Sequence, residues 1–189
     1  MCDRLSRIMA LVYRKLAFLD VETTGFSFRD HEIIELGVVI AGVDEKGTWR
    51  MLQEIDIKIQ PQHIETAEAE ALRINGYTPE AWMFAHTLTQ AMQELSAKAK
   101  DATMVAHNVA FDYGFIEAAF RSTGVENTMH YQKLDTISIA FAKLANDPDA
   151  KNLSLRSLCD YFGIMNERAH TALADARATF EVFKELMKM

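Results

Sequence analysis

The chain has 189 residues and a formal net charge of −7 at pH 7, with 49% hydrophobic and 25% charged residues. This composition fits one globular domain with a sizeable core, and it excludes a disordered or collagenous chain. No apolar run approaches the roughly 20 residues that span a bilayer, so we expect no membrane association and a cytoplasmic protein.

The cysteine content and the charge exclude further classes. Cys2 and Cys159 are the two cysteines, and neither belongs to a Cys-x-x-Cys pair, so a disulfide framework or a zinc ribbon is not expected. Coating nucleic acid by charge alone needs an excess of Lys and Arg, which this chain lacks. An enzyme that contacts few phosphates, and that gathers carboxylates around metal ions, remains compatible with the acidic balance.

The first predicted elements are strands. Residues 16–21 form a short apolar run closed by polar residues and Gly25, which is typical of a central strand. Residues 32–43 form a second apolar run, and residues 53–60 alternate between isoleucines and polar side chains. Turn residues between the second and third segments predict an antiparallel meander.

Helical signals follow Pro61. Thr78 before Pro79 predicts a helix start, and a capping box at residues 87–90 predicts a helix to about Lys100. Residues 103–106 are predicted to form a short buried strand, followed by a helix that Asn108 caps and that ends at Gly124.

The remaining elements are helices, predicted over residues 136–144, 153–162 and 171–187, with a loop at 146–149. Strands followed by helices alternating with short strands indicate an α/β domain with a mixed sheet flanked by helices. We expect one domain over residues 16–189, preceded by an N-terminal extension at residues 1–15. Met9 could be the true start, and the extension could equally form a helix or a dimer contact.

Asp20 and Glu22 lie two residues apart on the first predicted strand. Strand periodicity directs both carboxylates to the same face, about 7 Å apart along the strand, a spacing that suits two divalent ions. The alternative is that both are solvated charges at a strand end. Because the rest of this strand is predicted to be buried, where an unpaired charge is costly, we favour the metal interpretation.

Two further clusters combine histidine and aspartate. Asp112 falls in the first turn of the helix after His107 and Asn108, where it could face the first pair or merely complement the helix dipole. His170 and Asp175 would point apart on one helix, because five residues rotate by about 500°. His170 is therefore expected on the loop before the helix, where a neutral imidazole could overhang a metal site.

Three segments resemble, in order and spacing, the motifs of the DEDD 3′–5′ exonuclease superfamily. They are residues 20–25 (DVETTG), 107–112 (HNVAFD) and 170–176 (HTALADA), and the resemblance extends from about Leu16 to Met187. A His five residues before the last Asp resembles the histidine branch, which includes bacterial proofreading subunits and ribonuclease T. The resemblance implies a ribonuclease-H-like fold.

The resemblance also implies a mechanism. Asp20, Glu22, Asp112 and Asp175 would hold two Mg²⁺ or Mn²⁺ ions, and oxygen ligands suit these hard cations. His170 would act as the general base for the attacking water, and the product would be a nucleoside 5′-monophosphate.

Substrate contacts are expected beside these residues. Thr23, Thr24 and Gly25 resemble the family's contacts with the terminal nucleotide, and Asn108 and Phe111 resemble positions that line the cleft. His107 could reach the terminal nucleotide. Phe26 and Phe28 could stack on bases, since aromatic side chains grip single strands in this way, or they could be buried under their loop. His107 could instead bond nearby backbone, and Phe111 could belong only to the core.

The expected activity is hydrolysis of nucleotides from DNA 3′ ends, single-stranded or frayed. The alternative is an exoribonuclease that acts on RNA 3′ ends or short RNAs. A silent nucleic-acid-binding module is less favoured, because all five catalytic positions are filled. The chain continues from Asp175 only to Met189, which favours an enzyme that is not tethered to a polymerase; a homodimer and a polymerase partner stay open.

Overall fold

The computed structural model describes residues 15–166 and 171–189. The N-terminal extension, including Cys2 and Met9, and the predicted base His170 lie outside the described residues. None of the helices in the described ranges is long and apolar enough to cross a membrane.

Five strands form one mixed sheet. They are β1 (Leu16–Thr23), β2 (Ile33–Val43), β3 (Trp49–Lys58), β4 (Thr103–Ala106) and β5 (Lys133–Asp135), in the order β3-β2-β1-β4-β5. The first three strands pair antiparallel, which confirms the predicted meander. Strands β4 and β5 extend the sheet in parallel with β1, so β1 is central.

Helices cover both faces of the sheet. They are α1 (Ala69–Ile74), α2 (Leu88–Lys98), α3 (Val109–Thr123), α4 (Thr136–Leu144), α5 (Leu155–Phe162) and α6 (Ala172–Lys188), and a 3-10 turn covers Ile64–Thr66. Helices α2 and α3 pack on one face, and α6 packs on the other beneath α4 and α5. The predicted α/β fold class, a mixed sheet flanked by helices, is confirmed.

Strand β1 divides its side chains between the two faces. Ala17, Leu19 and Val21 are buried against α2 and α3. Leu16 and Phe18 are buried on the opposite face, where the Phe18 ring lies 5.0 Å from Phe180 of α6. Because side chains alternate along a strand, Asp20 and Glu22 fall on the same face as α6.

Two local predictions were wrong. The Thr78 hydroxyl does accept from the N–H of Ala81 at 3.2 Å, but the segment continues as turns, because His86 leaves it to form a bridge with Ile59. Asn108 precedes α3 in the left-handed conformation at φ 70°, and its side chain makes no capping hydrogen bond. The capping box of α2 and the end of α3 at Gly124 are confirmed.

Candidate active site

Three carboxylates meet where β1 ends and α6 begins. Carboxylate oxygens of Asp20, Glu22 and Asp175 all lie within 4.8 Å of one another, and the three residues are partly buried. Asp175 is in the first turn of α6, which packs on the face of β1 that carries Asp20 and Glu22. Helix packing thus places a carboxylate from the end of the chain beside two from its beginning.

Asp112 reaches the same strand from the other face. It is 2% exposed in the first turn of α3, and its Oδ1 accepts the backbone N–H of Val21 at 3.1 Å. Val21 lies between Asp20 and Glu22, so Asp112 faces the first acidic pair, as one of the two sequence interpretations expected. The structure therefore brings together the four predicted carboxylates, three of them in direct proximity.

Burial and mutual repulsion disfavour the charged forms of these groups. Burial raises the pKa of Asp20 well above its usual range, and the Asp112 and Asp175 charges raise it further. Burial, followed by repulsion from Asp175, raises the pKa of Glu22 to about 7. Burial also raises the pKa of Asp112 to about 8, although the hydrogen bond from Val21 opposes the shift.

The donor set fits a hard divalent cation. Over residues 15–166 and 171–189, no Lys or Arg forms an ion pair with Asp20, Glu22 or Asp112. Carboxylates crowded in this way without a cationic side chain are stabilised by a cation, and an all-oxygen set suits Mg²⁺ or Mn²⁺.

Asp175 has a neighbour that the sequence did not reveal. The side-chain amide of Asn166 donates to Asp175 Oδ1 at 2.7 Å. Asn166 is the last described residue before His170, and Thr171 is the residue just before α6. The described residues on either side of His170 are thus Asn166, which contacts Asp175, and Thr171, which precedes the helix of Asp175.

A small cleft of about 140 Å³ adjoins the cluster at Glu22. Four of the predicted substrate-binding residues line it, namely Thr23, Gly25, Phe26 and Phe111. Phe26 is 78% exposed and Phe28 is 47% exposed, so neither ring is buried under the loop. The Phe28 ring also makes an edge contact with Phe115, with 6.4 Å between the ring centroids. Phe111 both lines the cleft and belongs to the core, since its ring packs on Phe115 with 5.0 Å between the ring centroids.

Three other predicted substrate contacts lie apart from this cleft. Thr24 is fully buried, and its hydroxyl accepts the N–H of Glu32 at 2.9 Å. Nδ1 of His107 lies 2.9 Å from the hydroxyl of Thr136, and burial lowers the pKa of this histidine. Asn108 is exposed at the start of α3.

Asn75 is a cleft residue that we did not predict as a site residue. Its side-chain amide donates to the carbonyl of Thr23 at 3.1 Å, and its Oδ1 is buried without a hydrogen-bond partner in the described part of the chain. Ala71 and Ile74 of α1 complete this wall. The sequence offered one signal for it, because Asn75 lies between the first two motifs, within the stretch that resembles the exonuclease superfamily.

A larger cavity of about 710 Å³ lies at the opposite end of β1. Leu16, Trp49 and Phe183 are among its mostly apolar lining residues, and no Asp, Glu or His lines it. Its size does not make it the reactive site, because the groups able to bind metal lie at the other end of the strand.

Comparison with known families identifies the family of this domain. The model of the RNase_T family, described as exonuclease, matches residues 17–183. The chain belongs to this exonuclease family. The predicted membership of the DEDD superfamily is thereby confirmed.

Relatives of the exonuclease domain differ in size. The PolC-type DNA polymerase III of Listeria innocua is 31% identical over 169 residues, which cover 89% of this chain and 11% of the polymerase. Ribonuclease T of a Shewanella species (strain ANA-3) is 29% identical over 184 residues, which cover 87% of this chain and 78% of the relative. The chain thus spans about a tenth of its polymerase relatives.

A solved structure supports the fold. The zinc-bound complex of E. coli exonuclease I with single-stranded DNA superimposes with a TM-score of 0.77 at 18% identity, covering 93% of this chain and 41% of that one. The domain therefore has the ribonuclease-H-like fold that the motifs implied.

Proposed function

We propose that this protein removes nucleotides one at a time from the 3′ end of DNA, single-stranded or frayed, and releases nucleoside 5′-monophosphates. The observation that carries the proposal is the convergence of Asp20, Glu22 and Asp175 within 4.8 Å, beside a cleft bordered by an exposed aromatic ring. This arrangement can hold cations at a phosphate and a terminal nucleotide next to them.

Each carboxylate has a distinct part in the proposed reaction. Bound Mg²⁺ or Mn²⁺ ions, two per site, supply Lewis acidity at the scissile phosphate. Asp20 and Glu22 hold them from the rigid central strand, and Asp112 and Asp175 close the site from two helices. Anchoring the ligands on a strand and two helices fixes the geometry more tightly than loops would.

His170 is proposed as the general base that accepts the proton of the attacking water. Support comes from its motif spacing and from Thr171, the next residue, which precedes the helix that carries Asp175. We expect loss of this group to slow turnover by about 10²–10⁴-fold.

Substrate binding is proposed to use the cleft at Glu22. Phe26 would stack on the terminal bases, as aromatic side chains do in single-strand binding, while Thr23 and Gly25 border the terminal nucleotide. The net charge of −7 supports short or single-stranded substrates over long duplexes, whose binding relies on many cationic contacts.

An exoribonuclease is the second candidate. Ribonuclease T is the relative of which this chain covers 78%, against 11% of the polymerase. DNA is favoured because the motifs resemble those of proofreading subunits, and because the structural neighbour binds single-stranded DNA. A homodimer, a polymerase partner and the cytoplasmic location stay predictions from the sequence.

Matched DNA and RNA oligonucleotides of one sequence test the proposal. Each is labelled at its 5′ end and incubated with Mg²⁺, Mn²⁺ or chelator, with His170→Ala as the control variant. We expect metal-dependent shortening of DNA that is faster than that of RNA. Faster shortening of RNA would establish the second candidate, and no cleavage of either polymer would refute the nuclease proposal.

A further inference from the structure

Helix α6 begins by resting directly on strand β2. Its first residues, Ala172 and Leu173, contact two residues of that strand, Glu35 and Gly37. Neither contact residue belongs to the proposed metal ligands, and neither lines the cleft at Glu22. Both nevertheless lie beside the acidic cluster.

Glu35 of strand β2 accepts a hydrogen bond from the start of α6. The first N–H groups of a helix have no partner within the helix, and a side chain just before the helix usually provides one. Here Thr171 occupies that position without a side-chain capping bond. Instead, Oε1 of Glu35, which is 5% exposed, accepts the N–H of Ala172 at 3.0 Å.

Gly37 allows the backbone of α6 to touch the sheet. A Cβ atom at Gly37 would lie 2.1 Å from the carbonyl carbon of Ala172 and 2.1 Å from the amide nitrogen of Leu173. Both atoms are backbone, so no side-chain rotation could relieve the overlap. Any larger residue would force the first turn of α6 away from β2.

The sheet register connects these two contacts to the metal ligands. Glu35 pairs with Glu22 across the β1–β2 ladder, and Gly37 pairs with Asp20. Directly paired residues project from the same face of a sheet. Glu35 and Gly37, which contact the start of α6, therefore share one patch of the sheet with Asp20 and Glu22. Asp175 lies about one turn after Ala172 in the same helix, so the position of its carboxylate depends on where the start of the helix contacts β2.

We propose that Glu35 and Gly37 are positioning residues that set the Asp175 carboxylate at metal-binding distance from Asp20 and Glu22. The inference rests on the proposed function for the role of the metal, but its contacts are independent of any substrate. A displacement of α6 opens the carboxylate group, because Asp20 and Glu22 are fixed in the central strand while Asp175 moves with the helix.

Direct Mn²⁺ binding, measured by titration without nucleic acid, tests the proposal. The variants are Glu35→Ala, Glu35→Gln and Gly37→Ala. Gly42→Ala is the control on the same strand, because a Cβ there would meet a flexible Leu52 side chain at 3.0 Å. Partners that orient metal ligands typically contribute 10–100-fold in affinity, and we expect losses of about that size for Glu35→Ala and Gly37→Ala.

The remaining two variants separate positioning from other effects. Glu35→Gln removes the charge but keeps an oxygen that can accept the Ala172 N–H, so we expect affinity close to wild type. Gly42→Ala should also bind Mn²⁺ like wild type. In parallel, hydrogen exchange at the Ala172 amide should accelerate in Glu35→Ala and stay slow in Glu35→Gln.

Several outcomes would overturn the proposal. Wild-type Mn²⁺ affinity in both Glu35→Ala and Gly37→Ala would do so, and if Gly37→Ala does not fold, Glu35→Ala decides alone. Equal losses in the Gln and Ala variants would assign the effect to charge, and a wild-type protein without Mn²⁺ binding would remove the basis of the inference.

If wild type binds Mn²⁺ with the expected dependence on Glu35 but cleaves neither DNA nor RNA, the proposed function fails while the positioning role holds.

Discussion

Replacing Asp20 by Asn should stabilise the metal-free protein although it destroys the proposed metal site. The isosteric change keeps the volume of the side chain and removes a group that must either carry a buried negative charge in the cluster or take up a proton. Two neighbouring carboxylates, Glu22 and Asp175, lie within 4.8 Å of Asp20. At an effective dielectric constant of about 20, two charges at that distance repel by about 3.5 kcal/mol.

The net gain is smaller than this repulsion. The three carboxylates are partly exposed to water, and neither Asp20 nor Glu22 is fully ionised at neutral pH, because burial and mutual repulsion raise the pKa of both groups. We therefore expect Asp20→Asn to gain about 2 kcal/mol in chelator, which corresponds to a Tm increase of about 4–8 °C for a domain of this size. The gain should shrink below pH 6, where Glu22 carries a proton.

Thermal unfolding in chelator and in Mn²⁺ measures both parts of the prediction. Mn²⁺ at 100 times its Kd should stabilise the wild type by about 2.7 kcal/mol and should leave Asp20→Asn almost unchanged, so the order of the two Tm values reverses. Asp160→Asn, which removes an exposed charge on α5, is the control and should follow the wild type. A variant less stable than wild type in chelator, or equally stabilised by Mn²⁺, would refute the reasoning.

Three further predictions concern single side chains. Trp82→Phe removes the indole N–H that donates to the carbonyl of Ile34 at 2.8 Å, and should cost about 1–3 kcal/mol of unfolding free energy; an unchanged urea midpoint would contradict this. Phe26→Ala should raise KM for oligonucleotides while Tm stays within about 1 °C of wild type, because this ring is exposed; unchanged KM would remove its stacking role. Cys159 is buried, and burial raises the pKa of its thiol to about 11. In a Cys2→Ser background this thiol should therefore react with a disulfide reagent at pH 8 only after the protein unfolds. Prompt reaction of the native protein would contradict this prediction.

Elements with a strong repeating pattern were predictable from the sequence. The alternation at residues 53–60 and the apolar runs before it gave the meander, because one face of β3 and both faces of β1 and β2 are buried or covered. Strand β5 was missed, since the three residues Lys133–Asp135 are too few to show a period. The helix expected at Thr78 did not form because pairing of His86 with Ile59, a contact distant in sequence, takes precedence over the local capping signal.

The carboxylates of the site were predictable for a different reason. Strand periodicity placed Asp20 and Glu22 on one face, and motif spacing selected Asp112 and Asp175. The supporting contacts were not predictable. The bond from Ala172 to Glu35 joins residues separated by 137 positions, and no local pattern encodes such a pair.

Metal-dependent release of mononucleotides from the 3′ end tests the central claim most directly. One oligonucleotide is labelled at its 3′ end and another at its 5′ end, and each is incubated with wild type or Asp175→Asn in Mn²⁺ or in chelator. We expect wild type in Mn²⁺ to release the 3′ label at once as a 5′-mononucleotide and the 5′ label only late, and expect no release in chelator or by the variant. Release in chelator, early release of the 5′ label, or an Asp175→Asn variant as active as wild type would contradict the claim that these carboxylates form a 3′–5′ exonuclease site.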